Sequence, residues 1–346
     1  MSEHAETEHK SKILLVYTGG TIGMMKKPET GALVAFNFDK LLTHIPELRQ
    51  LTCEIDAHSF DEPIDSSNMD VAHWIQIGDV IAQRYDDYDG FVVLHGSDTM
   101  SYTGSALSFM FDNLAKPIIL TGSQLPIGDL RTDAKENLIT SIQLAALWED
   151  GAPVIQEVGL YFEYKLYRAN RTSKVNAHHF EAFASPNYDM LAESGVELRI
   201  NYPRLMRPRG ILVYRKQFVA GVSIVHLFPG LPVEHLRHAA SAPGIKAIIL
   251  MTYGSGNAPT NQSFIKAIQE LIAQGVHIIN VSQCEGGSVD MSKYETGSGL
   301  LESGVISGRD ITIEAAVSKA MFLLAQNLEV QGFKDAFELP LVGEMS

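Results

Sequence analysis

The sequence has few cysteines and few basic residues relative to acidic ones. Cys53 and Cys284 are the only cysteines among 346 residues and lie far apart, which excludes a disulfide framework and favours a reducing compartment. Lys and Arg total 27 against 41 for Asp and Glu, a formal net charge of −14, and no basic run occurs. This charge would repel nucleic acids and anionic membrane surfaces, so neither is expected as a partner.

The sequence pattern also lacks targeting and membrane-spanning segments. No apolar run reaches the roughly 18 residues that a membrane-spanning helix needs. The polar stretch MSEHAETEHKSK at residues 1–12 has no apolar core of the kind found in signal peptides. A cytoplasmic location is therefore predicted.

The sequence gives little support for a nucleotide-binding site or a metal site. The phosphate loop G-x-x-x-x-G-K-[ST] is absent, and the first predicted strand is followed by TGGTIG instead of G-x-G-x-x-G. The paired histidines, His178 with His179 and His235 with His238, have no Cys, Asp or Glu at metal-ligand spacing beside them. We interpret them as surface residues and predict no metal site.

The hydrophobic pattern predicts an α/β fold with two doubly wound, mostly parallel sheets. Short β-branched runs such as KILLVY, GFVVLH and PIILTG alternate with longer helix-like stretches, and a smaller series of the same kind begins after residue 210. The length and the 45% hydrophobic content fit two domains. We predict a larger N-terminal catalytic domain at 1–190, a linker at 191–212 and a smaller C-terminal domain at 213–346.

Polar segments that follow the predicted strands are the candidates for a functional site. Thr21 follows KILLVY, HGSDTM at 95–100 follows GFVV, TGSQLP at 121–126 follows PIIL, and RTSK at 171–174 follows the next strand. A further segment, DSSNM at 65–69, leads into a predicted helix, whose free N–H groups favour an anion. Because ligands gather at the carboxyl ends of parallel strands, we expect one crevice to hold these segments.

The residue types suggest nucleophilic chemistry. Glycines on both sides of Thr21 allow a sharp turn and a close ligand approach, but a threonine hydroxyl needs a base. Lys174 is a candidate base that would act through Ser97, with Asp98 orienting the group or a substrate amine. Taken singly, each segment also fits a bland interpretation, either a tight turn, a helix cap or a solvated lysine. Their joint placement at one sheet edge favours a site.

Eight segments together resemble one known family, the cytoplasmic (type I) bacterial L-asparaginases. In chain order they are YTGGTIGM, DSSNM, LHGSDTMSYTGSALSFM, TGSQLPIGDLRTDAKENL, LYRANRTSK, AFASPN, YGSGNAP and SQCEGG. The likeness runs from about residue 12 to 330, and TGGTI and HGSDT are its most diagnostic parts. The resemblance implies an enzyme that hydrolyses L-asparagine to L-aspartate and ammonia without a metal or an organic cofactor.

The resemblance also implies roles for individual residues. Thr21 matches the family's nucleophile, which forms an acyl-enzyme. Ser97, Asp98 and Lys174 match the second hydroxyl, the carboxylate and the lysine of its other catalytic cluster.

Substrate binding is implied for a further group of residues. The segment Asp65, Ser66 and Ser67, together with Asp98, matches the part that holds the α-carboxylate and the α-amine. Asn257 matches a residue contributed across a subunit interface, which implies a homodimer or homotetramer.

Three departures from the family pattern are visible. Ser97 replaces the usual threonine, which keeps the hydroxyl and loses the stiffening methyl group. The predicted lid, residues 24–36, contains no tyrosine, and we take Tyr294 as the substitute candidate. Met251 replaces an arginine that clamps an effector asparagine in some members, so cooperativity through that site is not expected, although Cys284 is retained.

Two alternative functions remain open at this stage. One is a family member that binds amino acids without turning them over, suggested by the missing lid tyrosine and by Ser97. The other is the ammonia-releasing subunit of a tRNA-dependent amidotransferase, which would need a basic docking surface and an added N-terminal module. The net charge of −14 and the early first strand argue against the second alternative.

Overall fold

A computed structural model describes residues 9–26, 33–35, 45–292 and 295–346. The strands are β1 (Lys12–Gly19), β2 (Met24–Lys26), β3 (Leu33–Ala35), β4 (Glu54–Ile64), β5 (Gly90–Leu94), β6 (Phe111–Asp112), β7 (Ile118–Thr121), β8 (Trp148–Glu149), β9 (Ala152–Pro153), β10 (Val158–Phe162), β11 (Lys165–Arg168), β12 (Ser173–Lys174), β13 (Phe183–Ala184), β14 (Ala192–Ser194), β15 (Leu198–Ile200), β16 (Val213–Tyr214), β17 (Val222–His226), β18 (Ala247–Thr252), β19 (His277–Ser282) and β20 (Ile306–Ser307). The helices are α1 (Val71–Gln83), α2 (Met100–Met110), α3 (Ala134–Ala146), α4 (Glu234–Ser241), α5 (Gln262–Ala273), α6 (Glu295–Glu302), α7 (Ile313–Leu324) and α8 (Val330–Glu338).

The larger sheet has eight strands in the order β15-β14-β11-β10-β7-β5-β1-β4. Strands β4, β1, β5, β7 and β10 run parallel, and β11, β14 and β15 extend one edge in antiparallel fashion. The chain passes from β1 to β4 on one side and then crosses to β5 on the other side of β1. Such a reversal opens a crevice at the carboxyl ends of β1 and β5, where ligands bind in open α/β sheets.

Burial on both faces explains the continuous apolar run in β1. Ile13 and Leu15 pack with Leu138 of α3 on one face, and Leu14 packs with Ile77 of α1 on the other. These side chains are all at most 2% exposed. A strand buried on both faces has no polar side to alternate with, which is why its sequence reads as unbroken hydrophobicity.

The smaller sheet repeats this arrangement. Its strands β17, β18, β19 and β20 are all parallel, with α7 and α8 packed on one face and α4 and α5 on the other. The two units meet through α2 and α7, where the rings of Phe109 and Phe322 stack 5.7 Å apart. This architecture confirms the predicted α/β fold with a larger and a smaller sheet. Among the described residues no helix has the length and apolar character to cross a membrane.

Two features of the larger sheet differ from the prediction. The predicted linker, residues 191–212, contains β14, which pairs with β11, and β15, which pairs with β14, so both strands belong to the sheet. In addition, β10 returns directly into antiparallel β11 through Glu163 and Tyr164, whose φ angles are 47° and 68°. Non-glycine residues seldom adopt this conformation, so the sequence carries no usual turn signal there.

Candidate active site

Thr21 lies at the crevice, immediately after the carboxyl end of β1. Gly20 adopts φ 86°, and a Cβ atom at this position would lie only 2.5 Å from the backbone nitrogen of Gly96. Glycine is therefore needed for both the conformation and the close approach. The turn Thr21–Gly23 follows, with Thr21 half-buried. The predicted nucleophile thus adjoins the segment that carries Ser97.

Tyr17 of β1 supports this turn, and the chain then continues into the hairpin formed by β2 and β3. The Tyr17 hydroxyl donates to the Gly23 carbonyl at 3.1 Å, and the Tyr17 ring occupies the space that a side chain at Gly23 would need. Strands β2 and β3 then pair antiparallel, with Met24 opposite Ala35. The rest of the predicted lid, 27–32 and residue 36, lies outside the described residues.

Lys174 joins the other two predicted catalytic residues. Its Nζ atom donates to Ser97 Oγ at 2.8 Å and to Asp98 Oδ1 at 2.7 Å. The Lys174 side chain is 17% exposed, whereas that of Asp98 is 66% exposed. The lysine is therefore held inside the crevice while the carboxylate remains open to solvent and to a ligand. An amine against a hydroxyl at hydrogen-bond distance is the geometry that a base and its relay require.

The segment Asp65–Ser67 lies against the same turn. Asp65 Oδ1 accepts from the backbone N–H of Ser67 at 3.0 Å and from its hydroxyl at 2.9 Å, and these bonds hold the pKa of Asp65 below its ordinary value. Thr99 Oγ1 donates to the Ser66 carbonyl at 2.7 Å, and a Cβ atom on Gly96 would overlap the Ser66 side chain. The structure therefore brings this predicted binding segment beside Ser97 and Asp98.

His95, a residue that the sequence analysis does not single out, anchors the turn from the core. It is fully buried, and its Nδ1 atom lies 2.7 Å from the Gly96 carbonyl oxygen, which can only accept. Nδ1 therefore carries the proton, and Nε2 pairs with the Thr103 hydroxyl at 2.9 Å. Burial lowers the pKa of His95 to about 4, so the folded protein holds a neutral ring.

This histidine predicts a pH dependence of stability. The unfolded chain binds a proton at His95 near pH 6.5 and the folded chain only near pH 4, so stability falls as the pH decreases across that window. A shift of this size corresponds to about 3 kcal/mol of unfolding free energy. His95→Asn keeps a donor to Gly96 without titrating. Urea unfolding near pH 7 and pH 4.5 is expected to show a loss about 2 to 3 kcal/mol larger in the wild type than in this variant; equal losses contradict the assignment.

The remaining predicted residues lie elsewhere. Asn257 is half-buried just beyond β18 of the smaller sheet, where its backbone pairs with Tyr253. Its predicted role across a subunit interface stays a prediction. Tyr294 lies outside the described residues. Met251 is a half-buried residue of β18, and Cys284 is exposed, with its N–H donating to the Ser282 hydroxyl at 3.0 Å.

Further residues near the site were also missed by the sequence analysis. Ser173 Oγ donates to Glu314 Oε2 of α7 at 2.8 Å, and burial raises the pKa of this glutamate. Ser101 and Thr172 pair through their hydroxyls at 2.9 Å. These partners are 71 or more positions apart in the chain. No local pattern signals such pairs.

Comparison with known proteins matches each of the two units to a protein-family model. The model of the asparaginase N-terminal domain matches residues 12–206, and that of the glutaminase/asparaginase C-terminal domain matches residues 221–337. The chain is 40% identical to L-asparaginase 1 of Escherichia coli K12 over 339 residues, which covers 97% of this chain and 98% of that protein.

A solved structure and a more distant relative extend the comparison. The crystal structure of L-asparaginase I from Vibrio cholerae has a TM-score of 0.90 and 40% identity, covering 98% of this chain and all of that one. A glutamyl-tRNA(Gln) amidotransferase subunit of Sulfolobus acidocaldarius is 32% identical, covering 99% of this chain and 78% of that protein.

Proposed function

This chain belongs to the asparaginase family, and from that premise we propose that it is an amidohydrolase that converts L-asparagine to L-aspartate and ammonia through an acyl-enzyme on Thr21. The observation that carries the proposal is the contact of Lys174 Nζ with Ser97 and Asp98, beside the turn that presents Thr21. Amide hydrolysis through a covalent intermediate needs a nucleophile, a proton relay and a base close together, and Thr21, Ser97 and Lys174 can supply them.

In the first step the Thr21 oxygen attacks the side-chain amide carbon of asparagine. The Thr21 proton passes to Ser97 as the Ser97 proton passes to the Lys174 amine. The tetrahedral intermediate then collapses, and the protonated lysine returns its proton through Ser97 to the departing nitrogen. The products of this half-reaction are ammonia and an aspartyl ester on Thr21.

In the second step a water molecule attacks the ester carbon. Its proton follows the relay through Ser97 to Lys174 and is delivered back to the Thr21 oxygen as the ester bond breaks. Aspartate leaves and the enzyme returns to its starting state. No metal ion or organic cofactor takes part in the proposed reaction.

Charge complementarity supports recognition of a small α-amino acid. Asp98 and Asp65 are exposed carboxylates suited to an ammonium group. The Ser66 hydroxyl can donate to a carboxylate, and the Ser67 hydroxyl can do so by turning away from Asp65 Oδ1. Holding both ends of the zwitterion fixes the amide near Thr21, and such positioning lowers the barrier by converting a bimolecular encounter into an intramolecular step.

We also propose that the protein acts as a homodimer or homotetramer in the cytoplasm. In this assembly Asn257 of one copy would complete the site of another, because it belongs to the smaller sheet and not to the cluster around Ser97. Tyr294 is proposed to serve in place of the absent lid tyrosine. The predicted division into domains at 1–190 and 213–346 remains a proposal, and we propose that the connection between them is the part of 191–212 that follows β15.

Two alternatives compete with this proposal. A member that binds asparagine without hydrolysing it is disfavoured because the Lys174–Ser97 contact is intact despite the exchange of threonine for Ser97. An amidotransferase subunit is disfavoured by the net charge of −14, which would repel tRNA, and by lower identity to the Sulfolobus protein than to the Escherichia coli enzyme.

Initial rates of ammonia release test the function directly. With asparagine as substrate we expect turnover with a hyperbolic concentration dependence, since Met251 cannot clamp an effector carboxylate. Activity should persist in the presence of a chelator. Rates of ammonia release measured in the same way with glutamine give the preference between the two substrates. Calorimetric binding of asparagine without heat of hydrolysis over hours would support the non-catalytic alternative instead.

A further inference from the structure

Residues 340–346, named the strap here, run from α8 of the smaller unit onto the larger one. The strap is fixed by a buried ion pair: Lys319 of α7 lies 2.5 Å from Glu344, and both side chains are fully buried. The Glu344 carboxylate also accepts from the N–H groups of Leu341 and Val342, the latter at 2.8 Å. A charge pair at such depth needs its remaining lone pairs satisfied, and the strap backbone does this.

The strap accepts hydrogen bonds from Asn170 and Arg171, which shortly precede β12, the strand that contains Lys174. The Gly343 carbonyl accepts from Arg171 Nε at 2.7 Å, and the Val342 carbonyl accepts from Asn170 Nδ2 at 3.0 Å. Arg171 Nη1 also pairs with Asp310 Oδ2 at 2.9 Å, and the other oxygen of Asp310 accepts from the Ser346 N–H at 2.7 Å. Arg171 therefore holds the strap both directly and through Asp310.

Arg171 is three residues before Lys174. It ends the turn Ala169–Arg171, after which Thr172 Oγ1 donates back to the Ala169 carbonyl at 2.7 Å and β12 begins. Arg171 is itself only 2% exposed. A lysine has a flexible four-carbon stem, so its amine can be aimed at Ser97 only if the backbone that carries it is fixed.

We propose that the strap positions the catalytic lysine, with Arg171 as the positioning residue that transmits its hold to β12 and thereby to Lys174. This inference rests on the proposed function of Lys174 and adds a contribution of the smaller unit to the chemistry of the larger one. Arg171 does not reach the reacting atoms and acts through Lys174 alone.

Arg171→Lys tests this inference in the full-length protein. A lysine keeps a positive charge beside Asp310 but cannot donate to Asp310 and to the Gly343 carbonyl in the fixed fork that arginine provides. We expect kcat for asparagine to fall about 10- to 100-fold while KM changes less than about threefold, because misplacing a reacting group by about 1 Å costs rate. Arg215→Lys is the control for loss of an arginine–aspartate pair alone: Arg215 pairs with Asp112 at 2.9 Å, is more exposed than Arg171, and forms no ion pair with β12 or the strap among the described residues.

A double-mutant cycle separates positioning from a general structural defect. If Arg171 acts only through Lys174, then Arg171→Lys in a Lys174→Met background should change the residual kcat less than about twofold. Independent, multiplicative losses would overturn the inference. So would an Arg171→Lys single variant with wild-type kcat when Lys174→Met is impaired, whereas wild-type activity of Lys174→Met itself would instead overturn the proposed function.

A second variant keeps the test available if Arg171→Lys does not fold. Lys319→Met with Glu344→Gln removes both buried charges together and so avoids leaving one of them unpaired. It loosens the strap at Glu344, next to the Gly343 carbonyl that Arg171 holds. A folded protein with this pair of changes is expected to show the same fall in kcat and the same non-additivity with Lys174→Met. Wild-type kcat in that protein would overturn the inference.

Discussion

Replacing Thr21 with valine is expected to lower kcat for asparagine hydrolysis by about 10⁴-fold or more, because removal of a nucleophile abolishes the covalent route. Valine keeps the β-branched shape, so the turn between Gly20 and Gly23 should fold as in the wild type. Ammonia release measured over long incubations gives the rate, and thermal unfolding checks the fold.

Thr21→Ser is the matched control for this experiment. Serine retains the oxygen but loses the methyl group that limits the side chain to few rotamers, so we expect a loss of only about tenfold. Acid-quenched wild-type protein mixed with asparagine should carry an aspartyl ester at Thr21 that mass spectrometry can locate. Near wild-type ammonia release by the valine variant would refute the assignment of the nucleophile.

Much of the site is predictable because strand ends in a parallel sheet share one edge. Thr21 follows β1 and Ser97 follows β5, and these strands are neighbours on either side of the point where the strand order reverses. Apolar runs fixed the strands, and the polar residues after them could then be placed at the crevice. Asp65–Ser67 was predicted on other grounds, from the helix that comes after it, and the structure shows that it also follows β4.

Other parts of the molecule depend on contacts that no local pattern encodes. Lys174 reaches Ser97 although it follows β11, which runs antiparallel to β10 after a turn at Glu163 and Tyr164 that contains no glycine or asparagine. Strands β14 and β15 are three residues long, too short for a clear alternation. The contacts of Asn170 and Arg171 with the strap join residues 172 to 175 positions apart, so they are set by tertiary packing and not by propensity.

Replacing Lys174 with methionine is the second large effect that we expect, a fall in kcat of about 10²- to 10⁴-fold, the range typical of a lost general base. The amine that now lies 2.8 Å from Ser97 would be gone, and no other base reaches this hydroxyl through a bond found in the described residues. KM should change little, because the exposed Asp98 carboxylate is retained and can still meet the substrate amine.

Stability should respond much less than activity to this change. Although Lys174 and Asp98 form an ion pair of 2.7 Å, the Asp98 side chain is 66% exposed, and solvent screens such a pair to about 0–1 kcal/mol. Methionine fills most of the volume of the lysine stem. Chemical unfolding of the variant should therefore give a free energy within about 1 kcal/mol of the wild type.

Lys174→Arg distinguishes a base from a fixed positive charge. Arginine can still pair with Asp98 and donate to Ser97, but it stays protonated at every pH at which the protein is folded. If Lys174 accepts the proton relayed by Ser97, the arginine variant should be as slow as the methionine variant. Recovery of most of the wild-type kcat by arginine would mean that the site needs charge at this position and takes its base from elsewhere.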